Sequence, residues 1–322
     1  MSMSAVRYHL LHDTIYRYTH PVSESRQMIR LSPRALEGQR CLSHRLLINP
    51  EPSRAEDWID SFGNRVRTID LESSHEHLLI RAESWVELTP PENIAFDESP
   101  PWEQVRDTLA YRAGRPLTPE ILEASPFCFE SPNIRLKREF AAYALEIFTP
   151  GRPLLAGVKH LMARIFSEFT FDPEATDVAT PVTEVFAKRR GVCQDLSHVM
   201  ISCLRSIGLA SRYVSGYLLT LPPPGKPRLI GADATHAWVS VFCPGIGWFD
   251  FDPTNNTTPQ LEHITVGWGR DFADVSPVRG VILGAGSHTL DISVTVVPEA
   301  EFSLIYENGT SFDRALHRHL SE

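Results

Sequence analysis

Residues 89–101 read Thr-Pro-Pro-Glu-Asn-Ile-Ala-Phe-Asp-Glu-Ser-Pro-Pro. Proline lacks a backbone donor and restricts the residue before it, so neither a helix nor an interior strand runs through such a segment. It reads as a loop or linker, and the hydrophobic pattern changes across it. Before it, apolar residues alternate; after it, they recur at helical spacing. At roughly 100–200 residues per domain, 322 residues hold about two domains. The expected boundary falls at this linker: a β-rich domain over residues 1–100, and a second domain over 101–322 that carries helices and a C-terminal β segment.

In the first part, residues 8–18 alternate loosely, 43–48 form a short strand, and 77–88 alternate again. Between them, Ser61-Phe62-Gly63-Asn64 marks a hairpin turn, because Gly and Asn tolerate positive φ. This set predicts an antiparallel sandwich or open barrel. In the second part, helices are expected over 102–112, over 133–148 with Asn133 as N-cap, over 154–169, and over 181–189 with Thr180 as N-cap and Pro181 at N1. Strands are expected over 211–220, 234–242, 248–252 and 288–297. A loop covers 221–227, and a hairpin turn crosses Pro244-Gly245-Ile246-Gly247.

A buried helix precedes those strands. Leu196, Val199, Met200, Cys203, Leu204 and Ile207 recur at its spacing, and Gly208 stands where a C′ residue belongs. Cys193 lies three residues before Leu196, so it shares the buried side at the helix entrance. A packing cysteine belongs in the middle of such a helix, as Cys203 does. A nucleophile belongs at the start, where unpaired N–H groups and the positive dipole end favour a thiolate and can hold a developing oxyanion. His236 is the candidate base, on a predicted strand that fixes its ring. Trp238 shares its face and is placed to cover the site and exclude water. Asp252 is the candidate orienter. Asp250 is its rival with the same parity, but Asp252 lies farther from the turn and nearer His236 in the simple hairpin register. A helix-start Cys, a strand His and a next-strand Asp give the layout of papain-like thiol chemistry.

Other candidates read more plainly. Arg189 and Arg190 complement the end of the preceding helix. His198 has turned away from Cys193 around the helix and reads as structural. His75 and His77, and likewise His317 and His319, read as surface pairs with no third ligand. Cys243 reads as structural. The other cysteines, Cys41 and Cys128, complete neither a disulfide framework nor a C-x-x-C zinc pattern, which fits a reducing compartment. The first twenty residues lack an apolar h-region, so a cytoplasmic location is expected. No apolar run is long enough to span a bilayer. A net charge of -9 argues against general nucleic-acid binding. No phosphate-binding loop or dinucleotide fingerprint appears, and no cofactor or metal is expected.

The blocks Gly191-Val192-Cys193-Gln194-Asp195, Tyr213-Val214-Ser215-Gly216-Tyr217, Thr235-His236-Ala237-Trp238-Val239, Gly247-Trp248 and Phe251-Asp252-Pro253-Thr254-Asn255 resemble the bacterial transglutaminase-like superfamily. The resemblance covers residues 166–255. More loosely, the first ninety residues resemble the β-rich domain that often precedes this core, and 272–278 resemble its C-terminal segment. What the resemblance implies is an α+β, papain-like core, helices packed on an antiparallel sheet, with a triad falling on Cys193, His236 and Asp252. Gln194 and Trp238 are the supporting site residues. The family holds proteases, amidases, transglutaminases and amide-forming enzymes. The expected function is therefore thiol-dependent acyl transfer on amide bonds through a Cys193 thioester, as a cysteine protease or amidase acting on a peptide or protein. The alternatives are a transglutaminase or amide-forming acyltransferase with an amine acceptor, and a non-catalytic binding or scaffolding protein that keeps the fold.

Overall fold

The computed structural model describes residues 5–306, apart from 92–93, 115, 221–230, 232 and 285. The loop expected at 221–227 and the His317/His319 pair lie outside the described residues. The first segment is built on one long strand. β1 (Val6–Ile29) is followed by β2 (Gln39–Asn49), β3 (Arg54–Ile59), β4 (Arg65–Leu71) and β5 (His75–Leu88). Five of these strands run antiparallel in the order β2-β5-β1-β4-β3. β1 is long enough to serve two sets of neighbours: its first half pairs with β5, and Ser25–Ile29 pairs with β4. Alternation delivers one buried cluster to this sheet, including Tyr18, Val22, Ile29, Ile69, Leu71, Leu78 and Ile80.

The helices follow the linker: α1 (Trp102–Leu109), α2 (Pro119–Ala124), α3 (Arg138–Leu145) and α4 (Leu154–Glu168). The expected helix over 133–148 starts later than its sequence pattern. Asn133 does not cap it, because its backbone N–H and side-chain amide both donate to Asp271. α2 was not anticipated, although Thr118 caps it and Pro119 opens it. Next come the two-residue strand β6 (Thr170–Phe171), α5 (Val182–Lys188), β7 (Arg190–Gly191) and α6 (Cys193–Ser206). In α6 every residue from Asp195 to Arg205 is buried. Arg205, at its C-terminal end, donates to the carbonyls of Phe129, Ser211 and Arg270, so every nitrogen of the buried guanidinium meets an oxygen.

α6 packs on a second sheet, in which β8 (Ser211–Leu218), β9 (Thr235–Cys243), β10 (Gly247–Phe251) and β11 (His263–Gly269) stand antiparallel in the order β10-β9-β8-β11. The chain closes with α7 (Phe272–Val275), β12 (Val278–Gly284), β13 (His288–Pro298) and α8 (Glu299–Tyr306). β12 and β13 return to the first sheet and pair with β1. The C-terminal β segment thus completes the N-terminal sheet, and residues from both ends of the chain share one layer. Among the described residues, no helix is long and apolar enough to cross a membrane.

The two sheets meet at a buried seam that joins Tyr8, Leu10, Val86 and Val296 to Tyr217, Ile264 and Val266. The polar side of this seam is unusual. β11 is the edge strand of the second sheet, and two side-chain amides from the first segment pair with its backbone. Gln39 accepts from Thr265 N–H at 2.8 Å and donates to its carbonyl at 2.7 Å. Asn64 accepts from Trp268 N–H at 3.0 Å and donates to its carbonyl at 2.8 Å. Between them, Gly267 is at a bulge, where a Cβ would stand 2.7 Å from Asn64 Oδ1. Gln39→Ala leaves the Thr265 N–H buried and unpaired, while the Thr265 carbonyl keeps the Arg34 N–H at 3.0 Å. The substitution should destabilise the fold by about 1–3 kcal/mol, read as a lower urea midpoint at unchanged slope.

Candidate active site

The entrance of α6 is shaped by Asp195, three residues into the helix. Its Oδ2 accepts from Val192 N–H at 2.9 Å and from the Thr176 hydroxyl at 2.6 Å. The carboxylate sits so close to Gly191 that a Cβ there would come within 2.6 Å of it. Gly191 is thus required for close approach rather than for a positive φ. It also pairs with Phe171 in the short parallel bridge between β6 and β7. These contacts fix the turn that sets Cys193 as the first residue of α6, half-buried at the positive end of the helix. Cys203 and Cys243 are buried, and burial raises both thiols, Cys243 to about 11. Burial also raises Cys128 to about 11.

Arg189 and Arg190 do not face the thiol as counter-charges. Arg189 takes the left-handed conformation at the end of α5, φ 55°, and lays its guanidinium over Phe186 and Phe169. Arg190 pairs with Asp172 at 3.6 Å. The Gln194 amide reaches toward the Val178 carbonyl at 3.5 Å, along the wall formed by residues 170–180. His198 is buried and accepts from Phe272 N–H. Burial lowers it to about 4, which suits a structural role. His75, expected on the surface, is buried at 7% exposure because its ring packs edge-on to Tyr18 and bonds the Ser73 carbonyl.

β9 carries His236, and β10 ends just before Asp252. The register pairs Phe251 with Val239, which sets Asp252 near His236 at 2.8 Å from Nε2 to Oδ2. Cys193 stands close enough to the same ring to act on its charge. Burial alone pushes the imidazole down. The hydrogen bond to Asp252, with the charge of Asp252 and Cys193, outweighs that and holds it up at about 9. Asp252 is fully buried and would be raised by burial, yet its donors hold it well below the usual carboxylate range. Oδ1 accepts from the backbone N–H groups of Thr254 and Asn255, and the Asn255 side chain donates to Oδ2 at 2.7 Å.

The rival Asp250 is occupied elsewhere. It accepts from the Trp238 indole at 2.9 Å. That indole is 0% exposed, so it is core and not a cover at the mouth of the site. It nevertheless touches the site, stacking beside the His236 ring with centroids 6.1 Å apart. Gly216 makes room for it, since a Cβ there would lie 2.6 Å from the indole.

One residue escaped the sequence reading. His263, at the start of β11, places Nε2 3.0 Å from the same Asp252 Oδ2. Its only signal in sequence is a histidine opening a short apolar run, which is weak. His236, Asp252 and His263 bring their ligand atoms within 4.8 Å of one another, the range of a metal site. Each imidazole already directs Nε2 to the carboxylate, so hydrogen bonding accounts for the cluster.

Comparison with known proteins places this geometry among relatives. A model of the bacterial transglutaminase-like N-terminal region matches residues 8–87, and one of the transglutaminase-like superfamily matches residues 141–253. An uncharacterised protein of Mycobacterium tuberculosis is 41% identical over 301 residues, covering 91% of this chain and 93% of that protein. One of Mycobacterium leprae is 31% identical over 294 residues, covering 90% and 98%. Among solved structures, a candidate cysteine protease from Cytophaga hutchinsonii superposes with a TM-score of 0.71 at 19% identity, over 93% of this chain and 92% of that one. The two share a fold.

Two outcomes follow from the site's packing and charge. Trp238→Ala should cost roughly 3–5 kcal/mol of stability, measured by urea unfolding, because it empties a fully buried position and strands Asp250. His236, held at about 9 against an ordinary 6.5, adds stability that is complete below pH 6.5 and lost as pH rises through 9. The stability gap between wild type and His236→Gln should therefore narrow from pH 6 to pH 10.

Proposed function

We propose that this chain, which belongs to the transglutaminase-like superfamily, is a thiol-dependent acyl-transfer enzyme that hydrolyses amide bonds in peptides or proteins. The observation that carries the reading is His236, hydrogen-bonded to the buried Asp252 at 2.8 Å and near enough to Cys193, the first residue of α6, for the thiol to act on its charge. Nε2 is committed to the carboxylate, so Nδ1 is the nitrogen that serves the thiol.

In this reading His236 takes the Cys193 proton, and the thiolate attacks the amide carbonyl carbon. The carbonyl π pair moves to oxygen, and N–H groups at the start of α6 stabilise the oxyanion. Collapse breaks the C–N bond, and the imidazolium protonates the leaving amine. A thioester on Cys193 remains. Water, deprotonated by His236, then releases the acid and restores the thiol. Asp252 stays ionised throughout and orients the ring. An amine in place of water gives the transamidation alternative with the same residues. The five cysteines are all unpaired, which supports placing the reaction in the cytoplasm.

The test is intact-mass spectrometry after incubation with a glutamine-containing peptide library, with and without a primary-amine probe. Cysteine-dependent cleavage or deamidation is expected. Amine incorporation would shift the reading to transamidation. Cys193→Ala should abolish turnover with little loss of fold, and Asp252→Asn should lower it by roughly 10³-fold or more. Loss of activity in Asp250→Asn equal to that in Asp252→Asn, with both variants folded, would overturn the assignment of the orienter. No turnover, together with Cys193 alkylated no faster than an ordinary thiol, would leave a binding or scaffolding protein.

A further inference from the structure

The interaction that the reaction scheme leaves unused is the second imidazole on Asp252. We infer that His263 is a positioning residue: its Nε2–H locks the Asp252 carboxylate and shares its charge with His236. The inference rests on the thiol acyl-transfer reading and deepens it.

An ionised carboxylate only accepts. Oδ2 lies 2.8 Å from His236 Nε2 and 3.0 Å from His263 Nε2. Both rings must therefore present an Nε2–H to it. The same oxygen also accepts from Asn255 at 2.7 Å, so three donors divide one oxygen. His263 makes this contact at a cost. It is 7% exposed, and its Nδ1 is buried with no hydrogen-bond partner. A merely space-filling residue at that position would avoid an orphaned polar atom. The orphan is tolerated because the other nitrogen is committed to Asp252.

The ring is also held rigidly. His263 opens β11, opposite Leu218 of β8. It stands edge-on to the Trp238 indole at 5.2 Å and tilted against His236 at 5.8 Å. The titratable groups facing His236 are thus Cys193 from α6, Asp252 after β10 and His263 from β11. The cationic His236 ring pulls on Oδ2. His263 opposes any rotation of the carboxylate and withdraws part of the charge that holds the proton on His236. The base is kept weak enough to give that proton to the leaving amine.

Iodoacetate tests this without a known substrate. It alkylates the Cys193 thiolate, and its negative charge favours attack beside an imidazolium, so the alkaline limb of its rate profile reports loss of the His236 proton. A wild-type Cys193 that shows no such limb and labels like an ordinary thiol would sink the acyl-transfer reading itself. Given an activated wild type, His263→Leu should move the alkaline limb up by roughly one pH unit. A folded His263→Leu with an unmoved limb overturns the role of His263. A second pair keeps the test decisive if that variant unfolds. His263→Gln can place its amide N–H near the former Nε2 and should keep the wild-type profile, whereas His263→Asn cannot and should shift it. Equal behaviour of Gln and Asn, in either direction, overturns the inference.

Discussion

The Asp252 carboxylate is the interaction on which the site depends. A fully buried anion carries a large desolvation cost unless donors surround it. Here the donors come from three directions: the turn that follows β10, the His236 ring on β9, and the His263 ring on β11. The turn donors are organised by Asp252 itself, but the two ring donors are fixed by strands it did not create. The charge thus acts as a geometric constraint: strands β9, β10 and β11 must all be in register for it to be satisfied. A sheet in any other register would strand it, which ties assembly of the site to correct folding of the sheet.

The cysteine end of the site obeys the opposite demand. A reactive thiol has to be reachable, yet its helix is buried almost throughout. The structure resolves this at the first turn. The Asp195 carboxylate closes over Val192, and Gly191 yields the space. Exposure is confined to the two ends of α6, Cys193 and Gln194 at its start and Ser206 at its finish, while Arg189, over an aromatic shelf, takes the left-handed conformation in the preceding turn. Charge near the thiol is supplied by the helix end and by His236, and both nearby arginines are spent elsewhere.

What the sequence reveals depends on how far apart the partners lie. Alternation in residues 77–88 and helical spacing in 196–207 are local, and both elements form where those patterns lie. Cys193, His236 and Asp252 could be picked out because order along the chain and one short hairpin relate them. Asn133 looks like a helix cap by every local rule, but its partner is Asp271, which no local rule reaches. The same distance hides Gln39 from Thr265 and β13 from β1. His263 was invisible for a related reason. Its meaning lies in a carboxylate on a different strand, and a histidine starting an apolar run carries no mark of that. Trp238 shows a subtler limit: period two placed it beside His236, but only packing reveals that it is core.

The amides of Gln39 and Asn64 have a consequence for how such a chain associates. They stand in for a neighbouring strand, so the border of the second sheet is finished by side chains encoded more than two hundred residues earlier. Cut away from them, β11 would present bare N–H and C=O groups, a template on which another polypeptide can add itself. The second sheet cut free of the first segment should therefore be prone to self-association. The β-rich segment is thus a built-in guard against self-association for the sheet that carries His236 and Asp252.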